Sequence, residues 1–181
     1  MVSMFRESAG NLRQPRALAL SGMLLALEVV LALFSIPIGG TIRVSFGFLA
    51  IGLSGALLGP VPAMLQAVLA DFLGMVVNPM GAYFPGYTLT ALLVGLVYGL
   101  LLYRRTPSWK WVLAAQLIVN IALHILLNTL WTSMTVGKAF WVLLPGRILK
   151  NVAATPLETL LLWGLWMLAD RLTRSRGALR R

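Results

Sequence analysis

Six long runs of apolar residues, separated by short polar breaks, dominate the sequence. A hydrocarbon core about 30 Å thick requires about 20 apolar residues in a helix, so these runs predict membrane helices. The predicted helices cover residues 16–36, 45–58, 61–77, 85–103, 109–134 and 146–172. Gly59-Pro60 predicts a tight turn between the second and third helices, which are short enough that a re-entrant pair is an alternative. We therefore expect an all-α membrane protein: one integral-membrane domain, residues 1–181, built as a bundle of six transmembrane helices.

The composition favours the same class of protein. Hydrophobic residues other than glycine make up 59% of the 181 residues and charged residues only 11%, whereas soluble domains reach about 45–50% apolar with glycine included. The first apolar run, at about 20 residues, is longer than the core of about 7–15 residues in a secretory signal. The absence of cysteine excludes disulfides and thiolate metal sites.

The distribution of positive charge predicts the orientation in the membrane. Eleven of the 15 Lys and Arg residues lie up to the first residue of the first helix, from the loop after the fourth helix to the start of the fifth, or in the basic tail 171–181. These segments share one side, so the positive-inside rule predicts that both termini are cytoplasmic and that the chain is a multi-pass plasma-membrane protein. The tail is expected to anchor the last helix to anionic headgroups of the bilayer. Because the basic residues are dispersed between apolar runs, the net charge of +10 does not indicate a nucleic-acid partner.

Glu28, Asp71 and Glu158 fall well inside predicted spans, and Arg147 and Lys150 lie nearer the outer end of theirs. Each would cost about 2.5–3.5 kcal/mol at the bilayer centre. We therefore expect all five to face protein or a watery cavity rather than lipid. For the three acids, a set of structural ion pairs is an equal alternative to a functional role.

Four cations are predicted to gather at the outer end of the bundle. Arg43 and Lys138 lie in outward loops, and Arg147 and Lys150 lie in the first turns of a helix that Pro145-Gly146 is expected to start. With few outward acids beside them, these cations indicate an anionic ligand. Loop solvation and contact with lipid headgroups are the alternative interpretation.

A polar stripe follows the fifth helix at intervals of four residues: Gln116, Asn120, His124 and Asn128, continued by Trp131. Steps of four drift by about 40° on an α-helix, so the stripe should slant across one face and turn toward the bundle interior. Most of it fits interhelical hydrogen bonding, including a core histidine at His124. Asn128 and Trp131, nearest the outer end, are the members that we assign to function.

Small residues spaced by four predict close helix packing. They occur as Ala91, Gly95 and Gly99 on the fourth helix and as Gly22 and Ala26 on the first. Such faces allow two helices to approach closely. The spacing fits packing inside one chain and docking to another membrane subunit equally well.

The sequence lacks the motifs of an enzyme. A P-loop requires G-x-x-x-x-G-K-[ST], and the nearest approach, residues 132–139 (TSMTVGKA), lacks the first glycine and the final hydroxyl residue. There is no H-E-x-x-H and no G-x-S-x-G. We predict no enzymatic activity, no cofactor, and no use of ATP by this chain alone.

Several segments together resemble one known family. They are residues 43–49 (RVSFGFL), 83–89 (YFPGYTL), 127–131 (LNTLW), 147–150 (RILK) and 156–158 (PLE). From about residue 16 to 168, the chain resembles the folate-family substrate-binding S components of energy-coupling factor (ECF) vitamin transporters. The resemblance implies a six-helix bundle with a vitamin site near the outer face. It also implies two kinds of partner, a transmembrane T component and two cytoplasmic ATPases, with docking through the small residues Gly22 and Ala26.

A folate-like ligand agrees in kind with the residues available. A pterin ring requires flat aromatic neighbours and a few directed hydrogen bonds, and a glutamate tail requires cations. The candidate aromatic contacts are Phe46, Tyr83, Phe84, Tyr87 and Trp131. The candidate hydrogen-bonding residues are Thr88 and Asn128, and the candidate carboxylate partners are Arg43, Lys138, Arg147 and Lys150.

The function predicted is thus capture of folate or a close analogue at the outer face by the binding subunit of an ATP-driven importer. One alternative is an S component for another vitamin or a queuosine-type precursor. A second, of a different class, is an ion- or proton-coupled secondary transporter that uses Glu28, Asp71 and His124.

Overall fold

The computed structural model describes residues 2–34, 36–38, 42–77, 83–137 and 139–178. Within those ranges the chain forms seven helices and one short antiparallel hairpin. The helices are α1 (Val2–Asn11), α2 (Pro15–Leu33), α3 (Phe48–Leu58), α4 (Pro60–Val77), α5 (Pro85–Leu102), α6 (Trp109–Val136) and α7 (Phe140–Ala178). The hairpin strands are β1 (Ile36–Ile38) and β2 (Ile42–Val44). Five helices, α2 and α4 to α7, are long and apolar enough to cross a membrane, and α3 is apolar but has only 11 residues.

Proline and glycine mark most of the helix boundaries where the sequence predicted them. Pro15 and Pro85 occupy the first turns of α2 and α5, where a missing N–H leaves no hydrogen bond unmade. Gly59 separates α3 from α4 with φ of +97°, a conformation that L side chains rarely adopt. Gly137 ends α6 in the left-handed region, with φ of +70°.

The first two predicted helices are shorter than expected. The first ends at Leu33 rather than at residue 36, and Ile36 instead pairs with Val44 in the hairpin. Pro37 explains this end, because proline forces the preceding residue toward extended backbone. The second begins at Phe48 rather than at residue 45, since the Ser45 hydroxyl accepts a hydrogen bond from the Gly47 N–H (3.2 Å) and holds a turn there.

The prediction that Pro145-Gly146 starts the last helix is wrong. Helix α7 begins at Phe140 and continues through both Pro145 and Pro156. In a hydrocarbon environment, ending the helix would leave several backbone groups without partners, whereas an internal proline leaves only one carbonyl to be satisfied. Arg147 and Lys150 consequently lie two to three turns inside α7 rather than at its beginning.

The glycine-spaced face of α5 packs inside this chain. A Cβ at Gly95 would lie 2.5 Å from the Ala63 carbonyl oxygen, and one at Gly99 would lie 2.2 Å from the Pro60 Cα. The backbones of α4 and α5 are therefore in direct contact. The spacing of small residues on α5 thus serves packing inside this chain rather than docking to another subunit. Tyr98, beside Gly99, is fully buried in the main apolar core.

A π-helical segment, Val119–Leu127, interrupts the middle of α6. Its hydrogen bonds join residue i to i+5, and its turn holds more than four residues. A step of four is consequently closer to a full turn there than in an α-helix, and the predicted slant of the polar stripe is reduced. The segment aligns the stripe along one side of α6.

The short helix α1, which the sequence analysis did not predict, caps two other helices at once. The Ser8 hydroxyl donates to the Leu58 carbonyl (3.2 Å) at the end of α3 and accepts from the Val61 N–H (3.1 Å) at the start of α4. These are backbone groups that lack partners within their own helices. Asn11 adds a bond to the same carbonyl (3.0 Å), and Glu7 pairs with Arg104. We call this end of the bundle the Gly59 end, and the opposite one, which holds Leu33, Val77, Phe84 and Val136, the aromatic end.

Replacing the buried Ser8 by alanine should destabilise the protein by about 1–3 kcal/mol, because the Leu58 carbonyl loses a donor and the partly buried Val61 N–H loses its acceptor. The measurement is thermal unfolding of the purified protein in detergent. Ser3→Ala, at an exposed position of the same helix, is the control and should leave the midpoint unchanged. Equal midpoints for the two variants would show that the cap contributes nothing.

Candidate functional site

A cavity of about 690 Å³ lies inside the bundle, between helices α2 to α7. Sites for small organic ligands commonly enclose about 300–1,000 Å³, so this volume is sufficient for a vitamin-sized molecule. Its wall includes apolar residues such as Ile51 and Val94, together with several polar and charged side chains. The polar side chains come from different helices and converge on one space.

Aromatic residues form the wall at the aromatic end. Tyr83, Phe84 and Tyr87 line the cavity. The Phe84 ring lies 5.6 Å from the Trp131 ring and 6.1 Å from the Tyr87 ring, centroid to centroid. The Trp131 indole N–H donates to the Thr90 hydroxyl (3.1 Å), which fixes the ring behind Phe84. These contacts give a preorganised surface for a flat ring.

Gly86 makes this wall possible. A Cβ at that position would lie 2.5 Å from the Phe84 ring and 2.6 Å from the Trp131 ring. Any larger residue would therefore displace one of the two rings. The Pro-Gly pair in residues 83–89 thus has two separate roles: Pro85 starts α5, and Gly86 leaves room for the rings.

The polar stripe of α6 lines the cavity along its length, and Gln116, Asn120, His124 and Asn128 all contribute. Thr132, one further step of four, also lines it; the stripe was predicted to continue through Trp131, and extending the same spacing would have found Thr132. The Asn120 amide donates to the Glu158 carboxylate (3.0 Å) and the Thr155 hydroxyl (2.9 Å), both on α7. The expectation of interhelical hydrogen bonding is confirmed for this member.

Some polar atoms of the cavity lack a hydrogen-bond partner. They are Gln116 Nε2, Asn128 Oδ1 and Asn151 Oδ1. Gln116 is only 1% exposed and Asn151 only 3%, and buried polar groups are rarely left unpaired. Gln116 uses its other amide atom to accept from the fully buried Tyr98 hydroxyl (2.8 Å). The unpaired atoms can bond to polar groups of a molecule in the cavity.

Two cations line the cavity on the α7 side. Arg147 and Lys150 are both partly buried, and the Arg147 guanidinium donates to the Thr132 hydroxyl (2.6 Å). The prediction that these residues avoid lipid is confirmed. An arginine held in this way presents further N–H donors, which match the geometry of a carboxylate.

Two acids line the opposite side. The Glu28 carboxylate on α2 accepts a hydrogen bond from the Gln66 amide (2.8 Å), and the Asp71 carboxylate on α4 accepts one from the Thr88 hydroxyl (2.6 Å). The sequence analysis placed both inside the bundle but did not assign either to the site. Their position on the wall depends on helix rotation, which a single isolated charge in a helix does not reveal.

The structure brings together most, but not all, of the predicted site residues. Six of them line the cavity: Tyr83, Phe84, Tyr87, Asn128, Arg147 and Lys150. Trp131 and Thr88 contact lining residues from behind. Phe46 is half-buried at the turn before α3 and is not among the lining residues. Lys138 and the Arg43 side chain lie outside the described residues, although the Arg43 backbone pairs with Pro37 in the hairpin.

The small residues of α2 lie on its outer surface. Gly22 and Ala26 are exposed, and a Cβ added at Gly22 would meet nothing within 4 Å among the described residues. This face is therefore not used for the helix packing that the structure describes, in contrast to the glycines of α5. An open small-residue face is available to a second membrane helix.

Comparison with known proteins gives consistent results. The family model described as the substrate-specific component of ECF transporters matches residues 16–166. The folate transporter FolT of Clostridium novyi (strain NT) is 36% identical over 149 residues, which cover 82% of this chain and 87% of that protein. FolT of Leuconostoc mesenteroides subsp. mesenteroides is 31% identical, covering 79% of this chain and 80% of that protein. A crystal structure of FolT bound with folic acid is similar with a TM-score of 0.78 and 31% identity, covering 84% of this chain and 95% of that one.

Proposed function

The chain belongs to the family of substrate-specific components of ECF transporters, and from this premise we propose that it binds folate or a close analogue for import. The family consists of substrate-binding components of transporters rather than enzymes. The observation that supports the substrate most strongly is the pairing, within one cavity, of an aromatic wall with Arg147 and Lys150. Folate joins a flat heterocycle to a tail with two carboxylates, and it requires both features.

In this proposal the heterocycle lies against Phe84 and Tyr87, and the tail carboxylates pair with Arg147 and Lys150. Amide atoms of the α6 stripe bond to the polar edges of the ligand. This part of the proposal is supported by Asn128 Oδ1 and Gln116 Nε2, which have no hydrogen-bond partner within the protein. Arg43, Phe46, Thr88, Trp131 and Lys138 complete the proposed site. Arg43 and Lys138 belong to the segments that flank the aromatic end, where a ligand would enter.

The aromatic end is proposed to face outward and the Gly59 end the cytoplasm. Arg104, Arg105 and Lys110 lie in and beside the loop between α5 and α6 at the Gly59 end, as the positive-inside rule requires of a cytoplasmic side. Trp109 and Trp111 are half exposed beside them, which suits a membrane interface. Both termini are then cytoplasmic, and α2 to α7 form one plasma-membrane domain of six helices, of which α3 is too short to span fully.

Transport is proposed to require partners. The exposed Gly22 and Ala26 on α2 form the docking face for a transmembrane T component, and two cytoplasmic ATPases supply the energy. An ATP-driven partner is consistent with the lack of a P-loop in this sequence. Reconstitution in proteoliposomes tests the assignment: uptake should need the partners and ATP, whereas uptake by this chain alone under an ion gradient would indicate a secondary transporter.

The substrate is tested by calorimetric titration of the purified protein with folic acid, 5-formyltetrahydrofolate, riboflavin, thiamine and biotin. We expect tight binding of the folates and none of the other three, because thiamine is cationic, riboflavin has no carboxylate for Arg147, and biotin has no flat aromatic ring for Phe84 and Tyr87. Binding of another vitamin with no binding of either folate would overturn the proposal.

A further inference from the structure

The acids opposite the cations have no role in the function proposed above. Asp71 lies six residues before the end of α4 at Val77, and Arg147 lies seven residues after the start of α7 at Phe140. At about 1.5 Å per residue, both lie about 10 Å below the aromatic end. The cavity therefore has the acidic side chain of Asp71 on the α4 side and the basic side chain of Arg147 on the α7 side at the same depth. A ligand that carries donors at one end and carboxylates at the other would be oriented by this arrangement.

Asp71 is held in position beside the aromatic wall. The Thr88 hydroxyl donates to its Oδ2 (2.6 Å), and the Tyr83 hydroxyl lies 2.9 Å from the same Thr88 oxygen. The Tyr83 ring in turn stacks on Phe72, with ring centroids 5.6 Å apart. A carboxylate has about four acceptor positions, so the bond from Thr88 fixes its orientation and leaves capacity for further donors.

Glu28 is engaged differently. Its side chain is 7% exposed and is packed between α2 and α4, where it accepts from the Gln66 amide. It lies on the same side of the cavity as Asp71. Among the described residues, its hydrogen bond is to Gln66 and not to an aromatic residue. Glu28 is consequently a matched comparison: an acid of the same wall that no described hydrogen bond joins to the aromatic residues.

The deeper wall independently indicates a polar occupant. Gln116 Nε2 and Asn151 Oδ1 have no hydrogen-bond partner, and both side chains are more than nine-tenths buried at the cavity surface. Leaving such groups unpaired costs about 1–3 kcal/mol each. A ligand with several donors and acceptors would pair them, whereas a purely apolar one would not.

We propose that Asp71 accepts a pair of hydrogen bonds from the aminopyrimidine edge of the bound heterocycle, the ring N–H and the exocyclic 2-amino group. This inference rests on the proposed function and adds the residue that selects the ring. The two parallel N–H donors of that edge resemble those of a guanidinium, which binds carboxylates in a bidentate manner. With the ring edge at Asp71 and the tail at Arg147, the ligand lies across the cavity, and the faces of its ring contact Phe84 and Tyr87.

The test uses the full-length protein in detergent and two probes, folic acid and its analogue with hydrogen in place of the 2-amino group. Wild-type protein should bind folic acid about 10- to 100-fold more tightly than the analogue, because the analogue lacks one of the two charge-assisted hydrogen bonds. Asp71→Asn should weaken the binding of folic acid by a similar factor, and the affinities of this variant for the two probes should differ by less than about threefold. Glu28→Gln should retain the preference of the wild type.

Each outcome bears on a different claim. If wild-type protein binds folic acid but has no preference between the probes, or if Asp71→Asn retains the preference, the inference is wrong and the proposed function stands. If wild-type protein does not bind folic acid, the proposed function fails as well. Should Asp71→Asn not fold, Thr88→Val removes the hydroxyl that orients the carboxylate and should reduce the preference; an unchanged preference in that variant would also overturn the inference.

Discussion

Gly99→Ala should strongly destabilise this protein, because the added Cβ would make the shortest contact found for the glycines that the structure describes. The new Cβ would lie 2.2 Å from the Pro60 Cα and 2.6 Å from the Pro60 nitrogen. Both are backbone atoms at the start of α4, so no side-chain rotation can relieve the contact. Overpacking typically costs about 1–3 kcal/mol and sometimes more, and we expect the upper end or beyond, since α4 and α5 must separate.

Thermal unfolding and the monodisperse fraction on size-exclusion chromatography measure this effect. Gly164→Ala is the matched control: it is also a helical glycine, on α7, but a Cβ there would meet nothing within 4 Å among the described residues. It should be neutral or stabilising by up to about 1 kcal/mol, as expected for glycine to alanine within a helix. If the two variants have the same midpoint, the close approach of α4 and α5 is incorrect.

Arg147→Gln should weaken folic acid binding by about 30-fold or more. Removing one member of a buried, hydrogen-bonded charge pair costs about 2–5 kcal/mol, because the remaining charge stays desolvated, and each 1.4 kcal/mol is about tenfold in affinity. A neutral pterin fragment such as 6-hydroxymethylpterin has no carboxylate to lose a partner. Its affinity should change by less than about threefold.

Titration of both ligands into wild-type and variant protein distinguishes recognition of the tail from a general effect on the cavity. Arg104→Gln provides the control, since Arg104 is exposed at the Gly59 end and pairs with Glu7 rather than lining the cavity. Exposed ion pairs contribute little, typically about 0–1 kcal/mol, so this variant should bind both ligands normally. Equal losses for folic acid and the pterin fragment in Arg147→Gln would mean that Arg147 does not contact the tail.

Local sequence signals were sufficient for much of the fold. The Gly59-Pro60 turn and the start of α5 at Pro85 follow from backbone preferences of the residues themselves. The spacing of Gly95 and Gly99 correctly indicated a close helix contact, although only the structure identified α4 as the partner. The charged residues within the predicted spans were correctly expected to face protein or a cavity. The free-energy cost of exposing a charged side chain to lipid is the same in any fold.

The features that were not predicted depend on neighbours distant in the chain. Continuation of α7 through Pro145 is decided by the apolar surroundings rather than by proline itself. The π-helical segment of α6 has no sequence marker in residues 119–127, and without it the polar stripe was expected to slant. For the candidate site, the aromatic residues and Arg147 were identified from their types and order, whereas the position of Asp71 on the wall required the helix rotations.

The docking of α1 also has a consequence for biosynthesis. Asn11 bonds to the Tyr103 hydroxyl, 92 residues further along the chain, and Ser8 bonds to Leu58, 50 residues further along. At about 5–20 residues per second, α1 leaves the ribosome about 5–20 s before the last of these partners exists. Helix α1 therefore remains undocked at least until α3 and the start of α4 exist, and its bond to Tyr103 forms only after α5 has been made. A segment made before α2 thus reaches all of its native contacts only after α5.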